Sequence, residues 1–217
     1  MTASPPSPLS AAILAGGQSR RMGTDKARLR LTPDEPMLIE LVLSAVRAVA
    51  DDIILVANDD RLADLGLRTV PDVYPNAGAL GGIYSAVASA QHEHCLVVAC
   101  DMPFLAPVLL RAMAAVPRDY DLLAPHLIVG ENRQGSSGGV YETLHAIYGR
   151  ATLPAIREQL AQQRYRVIGF FPQVRVRDFP EAAVRQFDPA LRSFFNANTP
   201  ERLAEARKLA GVAPKVQ

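Results

Sequence analysis

Short apolar runs separated by polar turns alternate along this chain with stretches of helical spacing. Ala11 to Leu14, Ile53 to Ala57, Cys95 to Ala99 and Leu122 to Ala124 are continuous apolar runs, too short for helices, and read as buried strands, with another strand at Leu67 to Val70. Between them, Met37 to Ala50 places Leu38, Leu41, Val42, Ala45, Val46 and Val49 on one helical face. Further helices are expected over about Ile83 to Gln91 and Ala106 to Ala115, with a short strand at Ala27 to Leu31 and a helical turn near Arg61 to Leu65. The order β, α, β, β, α, β, α, β with short connections predicts an α/β fold, its central sheet mostly parallel with helices on both faces.

The pattern changes after Pro125. Leu127 to Val129, the polar stretch Gly130 to Gly139 and Val140 to Tyr148 predict a small β-rich, hairpin-like insertion. Thr152 to Gln163 has helical spacing, whereas Val174 to Phe179 and Val184 to Phe187 alternate like edge strands. Thr199 caps a last helix, with Pro200 at its first position and Glu201 beside it. Residues 1–9 are expected to be a disordered tail, 10–210 a single domain and 211–217 a frayed end.

Composition narrows the function classes. The 217 residues are 49% hydrophobic and 21% charged, ordinary for a globular protein. A net charge of +1 gives no overall field toward nucleic acid or a membrane surface. No apolar stretch approaches a transmembrane span and no signal peptide is evident. Cys95 and Cys100 lie five residues apart on one strand and its exit, roughly 16 Å at strand rise, too far for a disulfide. Both read as thiols of a cytoplasmic protein.

The chemistry concentrates after the first strand, in Leu14-Ala-Gly-Gly-Gln-Ser-Arg-Arg-Met-Gly-Thr-Asp-Lys26. Gly16 and Gly17 let the backbone turn and approach a ligand, and Arg20, Arg21 and Lys26 set three cations within seven residues. Backbone N–H groups beside clustered cations suit a polyanion such as a nucleoside triphosphate. A solvated basic turn is the bland alternative, and lysine usage argues against it. Among 23 basic residues there are three lysines, of which Lys208 and Lys215 lie near the C-terminus and Lys26 lies here. Neither G-x-x-x-x-G-K-[ST] nor a helix-opening G-x-G-x-x-G is present.

Asn58, Asp72 and Asp101 each follow a predicted strand, as the glycine loop does. In an open parallel sheet such positions share one edge and line one crevice. Singly they read as a turn residue, a turn former between prolines and a helix-entry cap; together they favour a site. Asp101 at a strand exit facing a phosphate loop is placed to bind Mg²⁺, and Asp72 with Asn58 to read a base, since a carboxylate can accept the N1 and N2 donors of guanine. His92 and His94 resemble a metal pair but lack a third ligand, and a solvated helix end accounts for them.

The motifs resemble the molybdenum cofactor guanylyltransferase (MobA) family of nucleotidyltransferases. Besides the first loop, Gly81-Gly82, Cys100-Asp-Met-Pro103, Glu142-Thr-Leu-His-Ala-Ile-Tyr148 and Phe195-Asn-Ala-Asn-Thr-Pro200 match in order over nearly the whole chain. The resemblance implies a Rossmann-like nucleotidyltransferase fold, with a nucleotide-binding part over about 10–125 and an acceptor-side part over about 126–198. It implies transfer of GMP from GTP to molybdopterin-bound molybdenum, with Mg²⁺ as cofactor and transient contact with molybdoenzymes or cofactor-insertion proteins. Lys26, Arg21 and Asp101 would be catalytic; Leu14, Ala15, Gly16, Gly17, Lys26, Asn58, Asp72 and Asp101 would hold GTP. Gly82, Arg166, Asn196 and Asn198 would face the acceptor. Ala79 and Thr143 stand where the family usually has proline, both on the wall toward the acceptor. A CTP-using transferase, a sugar-nucleotide pyrophosphorylase and a non-catalytic nucleotide-binding adaptor are the alternatives.

Overall fold

The apolar run at the start of the chain forms β1 (Ser10–Leu14), at the centre of an eight-stranded sheet in the computed structural model. Residues 8–16, 26–131 and 137–211 are described. The chain continues through α1 (Leu38–Val46), β2 (Asp52–Val56), β3 (Arg68–Val70), α2 (Gly78–Ser89), β4 (His94–Ala99) and α3 (Pro107–Ala114). Then come β5 (Leu122–Glu131), β6 (Ser137–Tyr141), β7 (His145–Gly149), α4 (Leu153–Ala161), β8 (Val176–Pro180), α5 (Glu181–Val184) and α6 (Pro200–Leu209). Strand order is β3-β2-β1-β4-β7-β5-β6, with β8 paired to β5. The pairs β1–β2, β1–β4, β2–β3 and β5–β8 are parallel; β7 runs antiparallel between β4 and β5.

Side chains alternate across this sheet and seed two apolar layers. Ala11 and Ile13 join Val42, Val46, Leu109 and Met113 of α1 and α3 on one face. Ala12 joins Ile83, Val87 and Ile156 of α2 and α4 on the other. At the amino ends of the strands, buried Asp52 accepts hydrogen bonds from the Ser10 hydroxyl (2.6 Å), the Gln91 N–H (2.9 Å) and Arg68 (2.7 Å). Burial opposes its ionised form, but these three donors outweigh it and hold the carboxyl below its ordinary range. Among the described residues no helix is long and apolar enough to cross a membrane.

Several local expectations change. Lys26–Arg28 is a 3-10 turn, and Arg30 makes only a single bridge to Met37. Arg28 pulls this turn toward the Arg61 carbonyl and Asp64 and away from the sheet. Instead of an edge strand at Val184 to Phe187, the short helix α5 ends at Val184. Glu181 starts it, accepting the Ile128 N–H (2.7 Å) and the Arg185 guanidinium (2.7 Å). The predicted insertion divides: β5 and β6 form the hairpin, whereas β7, all five residues buried, enters the main sheet. Leu9, assigned to the tail, is 2% exposed and packs in the core; residues 1–7 and 212–217 lie outside the described residues.

One core residue makes stability depend on pH. His145 is fully buried, its ring tilted against Phe194 at 4.9 Å between centroids. Among the described residues neither ring nitrogen has a hydrogen-bond partner. Desolvation therefore lowers its pKa from 6.5 to about 4, against a small opposing pull from the Ser193 backbone and Asp188. Between these values the unfolded chain takes up a proton that the folded chain refuses, so stability is full above pH 6.5 and falls toward pH 4, by on the order of 3 kcal/mol. Thermal melts at pH 7 and pH 5 should show a smaller drop in Tm for His145→Leu than for the wild type; equal drops would clear His145 of that role.

Candidate functional site

In-register pairing ends the parallel strands at one level: Leu14 lies opposite Val56 on one side and Ala99 on the other, and Val56 opposite Val70. The segments leaving these strands border a cleft of about 450 Å³. Leu14, Ala15, Gly16, Lys26, Asp72 and Asp101 all line it, as do Gly82, Asn196 and Asn198 from other elements. Ala15 and Gly16 both donate backbone N–H bonds to the Val56 carbonyl (3.0 Å each), which turns the chain over the end of β2. A Cβ at Gly16 would meet that carbonyl at 3.6 Å, an ordinary contact, so the bare backbone matters for the cleft rather than for packing. Gly17 and Arg21 lie outside the described residues.

Asp101 follows β4 by two residues. Cys100 donates its N–H to the Leu14 carbonyl (3.2 Å), which ties this exit to β1. Burial raises the Asp101 pKa, and the nearby Lys26 charge pulls it back down. Both residues line the one cleft, although 75 residues separate them in sequence. The Asp101 carbonyl also accepts the Ala197 N–H (2.8 Å), fastening the far wall to the same strand exit. In that wall Phe195 and Ala197 are buried against α6 while Asn196 and Asn198 border the cleft, a strand-like alternation.

Asp72 opens the turn that leads to α2. Its N–H donates to Asn58 Oδ1 (2.7 Å), and its Oδ1 accepts from the Tyr74 N–H (3.0 Å) and the Ser85 hydroxyl (3.1 Å). Asn58 therefore does not line the cleft; it is exposed and stands behind Asp72, holding its backbone. With both acceptor directions of Oδ1 taken, simultaneous reading of a base edge by the two carboxylate oxygens is unavailable in this arrangement. Arg166 is exposed in the link after α4, its carbonyl accepting Gln159 Nε2 (2.5 Å), and is not among the cleft residues. That link belongs to the helix layer on the sheet face, which the basic character of Arg166 did not reveal.

Other cleft residues were not anticipated. Arg61 lines it, its Nη2 bonded to the Ala15 carbonyl (2.5 Å) and its Nε 3.1 Å from Asp59. It lies three residues past Asn58, too far beyond the strand end for position alone to mark it. Gly78 and Ala79 bring the first turn of α2, with its unpaired N–H groups, to the cleft, and Gly78 has φ +64°. Among the described residues no three or more His, Cys, Asp or Glu side chains cluster as a metal site.

A helix start, one ammonium and two carboxylates at the carboxyl edge of parallel strands mark a nucleotide-handling α/β protein. Comparison with known proteins gives the family. The MobA-like NTP transferase domain matches residues 11–174, and the chain belongs to that family of nucleotidyltransferases. It is 37% identical over 199 residues to a probable molybdenum cofactor guanylyltransferase of Pelotomaculum thermopropionicum, covering 91% of each chain. It is 36% identical to the molybdenum cofactor guanylyltransferase of Desulfosudis oleivorans, covering 89% of this chain and 92% of the relative. Among solved structures, molybdopterin-guanine dinucleotide biosynthesis protein A from Archaeoglobus fulgidus superposes with a TM-score of 0.75 at 26% identity, covering 94% of this chain and all of that one.

The adjacent glycines Gly81 and Gly82 of α2 carry different constraints. A Cβ on Gly81 would sit 2.7 Å from the Tyr74 carbonyl and 3.1 Å from both Ala77 Cβ and Asp72 Oδ1, so something must shift. On Gly82 it would meet only the Leu14 side chain, nearest at 3.1 Å. Urea melts should show Gly81→Ala destabilised by about 1–3 kcal/mol, and Gly82→Ala by well under half as much.

Proposed function

We propose that this chain transfers GMP from GTP to molybdopterin carrying molybdenum, acting in the cytoplasm, with the guanine dinucleotide cofactor and pyrophosphate as products. The names of its relatives support the substrates. The observation that carries the reading onto this chain is that Lys26 and Asp101 line one cleft at the carboxyl ends of the parallel strands. In the reaction the terminal phosphate oxygen of the acceptor attacks the α-phosphorus of GTP. A new P–O bond forms while the bond from that phosphorus to the β-bridging oxygen breaks, and pyrophosphate leaves with the electron pair. The nucleophile arrives as an anion, so no proton has to be removed and no strong general base is required.

Catalysis is then positioning and charge neutralisation. Lys26 offsets charge on the phosphates, with Arg21 assigned to the same task by family resemblance. The start of α2 offers N–H groups to the phosphates, and Leu14 to Gly17 are assigned to the same phosphates by family resemblance. Asp72, braced by Asn58, faces the nucleoside, and Gly82, Asn196 and Asn198 face the acceptor. Asp101 suits Mg²⁺, because a carboxylate whose burial penalises its charge is relieved by a cation, and Mg²⁺ is commonly held by one or two carboxylates plus substrate phosphates. Bound there, the ion would neutralise phosphate oxygen charge.

Lys26→Ala and Asp101→Ala should each lower kcat/KM by about 10²–10³ with little change in Tm, followed as pyrophosphate release from GTP, Mg²⁺ and molybdopterin. An Asp101→Ala enzyme with near-full Mg²⁺-dependent activity would remove the metal role. GTP should be used in preference to CTP, UTP and ATP; equal use of CTP would remove the guanine assignment.

A further inference from the structure

The hydrogen bonds around Asp72 reach into the core through one hydroxyl. Ser85, on the second turn of α2, is fully buried. Its oxygen lies 3.1 Å from Asp72 Oδ1 and 2.9 Å from the Gly81 carbonyl, and accepts the Val73 N–H at 2.9 Å. A serine has one proton to give, and two acceptors compete for it. The Gly81 carbonyl sits four residues back in the same helix, where the Ser85 N–H is its helical partner. The carboxylate is charged, and a charge-assisted bond is the stronger of the two. The proton therefore points to Asp72, and the Val73 N–H takes a remaining lone pair.

Together with the Tyr74 N–H, this bond fills the acceptor directions of Oδ1. Asn58 fixes the backbone of the same residue from the opposite side. The carboxylate can no longer swing, and Oδ2 is the oxygen left to a ligand in the cleft that Asp72 lines. We infer that Ser85 is a positioning residue for nucleotide selectivity: it consumes Oδ1 so that Oδ2 alone, in one direction, accepts the N1–H and N2–H donors of guanine. The inference rests on the guanine assignment made above. It replaces reading by two oxygens with a single fixed acceptor supported by a core hydroxyl.

Inosine triphosphate, which keeps N1–H and lacks the 2-amino group, separates this role from folding. By calorimetry the wild type should bind GTP about tenfold more tightly than ITP, the loss of one well-placed hydrogen bond. Ser85→Ala should bring that ratio close to one, through a higher KM for GTP with kcat changed less than about threefold. Ser85→Cys fills nearly the same volume with a weak donor and should give the same loss of preference if the alanine variant folds poorly. Ser85→Thr, which keeps the hydroxyl, should retain the preference. Wild-type preference undiminished in the folded alanine or cysteine variant would overturn the role of Ser85 alone. A wild type that does not distinguish GTP from ITP would overturn the reading of guanine by Asp72, and this inference with it.

Discussion

The register of β1 against β2 and β4 is the constraint on which the cleft depends. Leu14 pairs with Val56 and Ala99, so three chains leave the sheet side by side and carry their polar residues to one place. A slip by one residue would exchange the faces of Ala11 and Ile13 with those of Ala12 and Leu14, and with them the two apolar layers. Burial on both faces thus specifies the register, and the register specifies the site. At the opposite ends of the strands, Asp52 ties Ser10 of β1, Arg68 of β3 and the Gln91 N–H before β4 to β2. Its three donors satisfy a buried carboxylate, so the tie is specific where apolar contact alone would let strands slide.

The cleft reverses that logic. Asp52 is buried with donors enough to lower its pKa, whereas burial raises that of Asp101 more than the Lys26 charge and a backbone hydrogen bond lower it. Two carboxylates at opposite ends of one sheet, Asp52 at the start of β2 and Asp101 past the end of β4, are thereby given opposite tendencies. One is satisfied by the fold; the other is left to be satisfied by what enters the cleft. The same division appears inside Asp72, whose Oδ1 serves the turn and the helix while Oδ2 is left to the ligand.

Much of this was legible in the sequence because strand ends are legible. Apolar runs of four to six residues mark buried parallel strands, and whatever polar residue follows each of them arrives at the same edge. That reasoning placed Gly16, Asp72 and Asp101 in one cleft. It erred on Asn58, because position after a strand does not say whether a side chain turns into the cleft or braces a neighbour. Arg166 was chosen for its charge and its place in the family pattern, without a topological reason, and lies outside the cleft. Arg61 was passed over as part of a helical turn, and its link to the Ala15 carbonyl depends on a contact across 46 residues that no local pattern encodes. The strand β7 was misread as half of a hairpin because its neighbour β6 does form one; its burial on both faces becomes visible only when β4 and β5 are in place.

The wall that holds Asn196 and Asn198 is joined to the same strand exit as Asp101. Phe195 and Ala197 anchor the segment in a small core with Leu38 and Leu203, and the Arg202 guanidinium lies 3.7 Å from the centre of the Phe195 ring. Arg202 also reaches the Asn196 carbonyl, and its N–H is capped by Thr199 at the start of α6. These contacts leave Asn196 and Asn198 on the cleft side, and the Ala197 N–H closes the arrangement on the Asp101 carbonyl. The residue that carries the cleft carboxylate therefore also carries, through its backbone, the wall that holds Asn196 and Asn198. A shift of that wall would be felt at Asp101 through a single 2.8 Å bond, without passing through the glycine loop. The glycine loop and the asparagine wall are thus both fastened to one strand exit, and their relative placement is set by the backbone after β4.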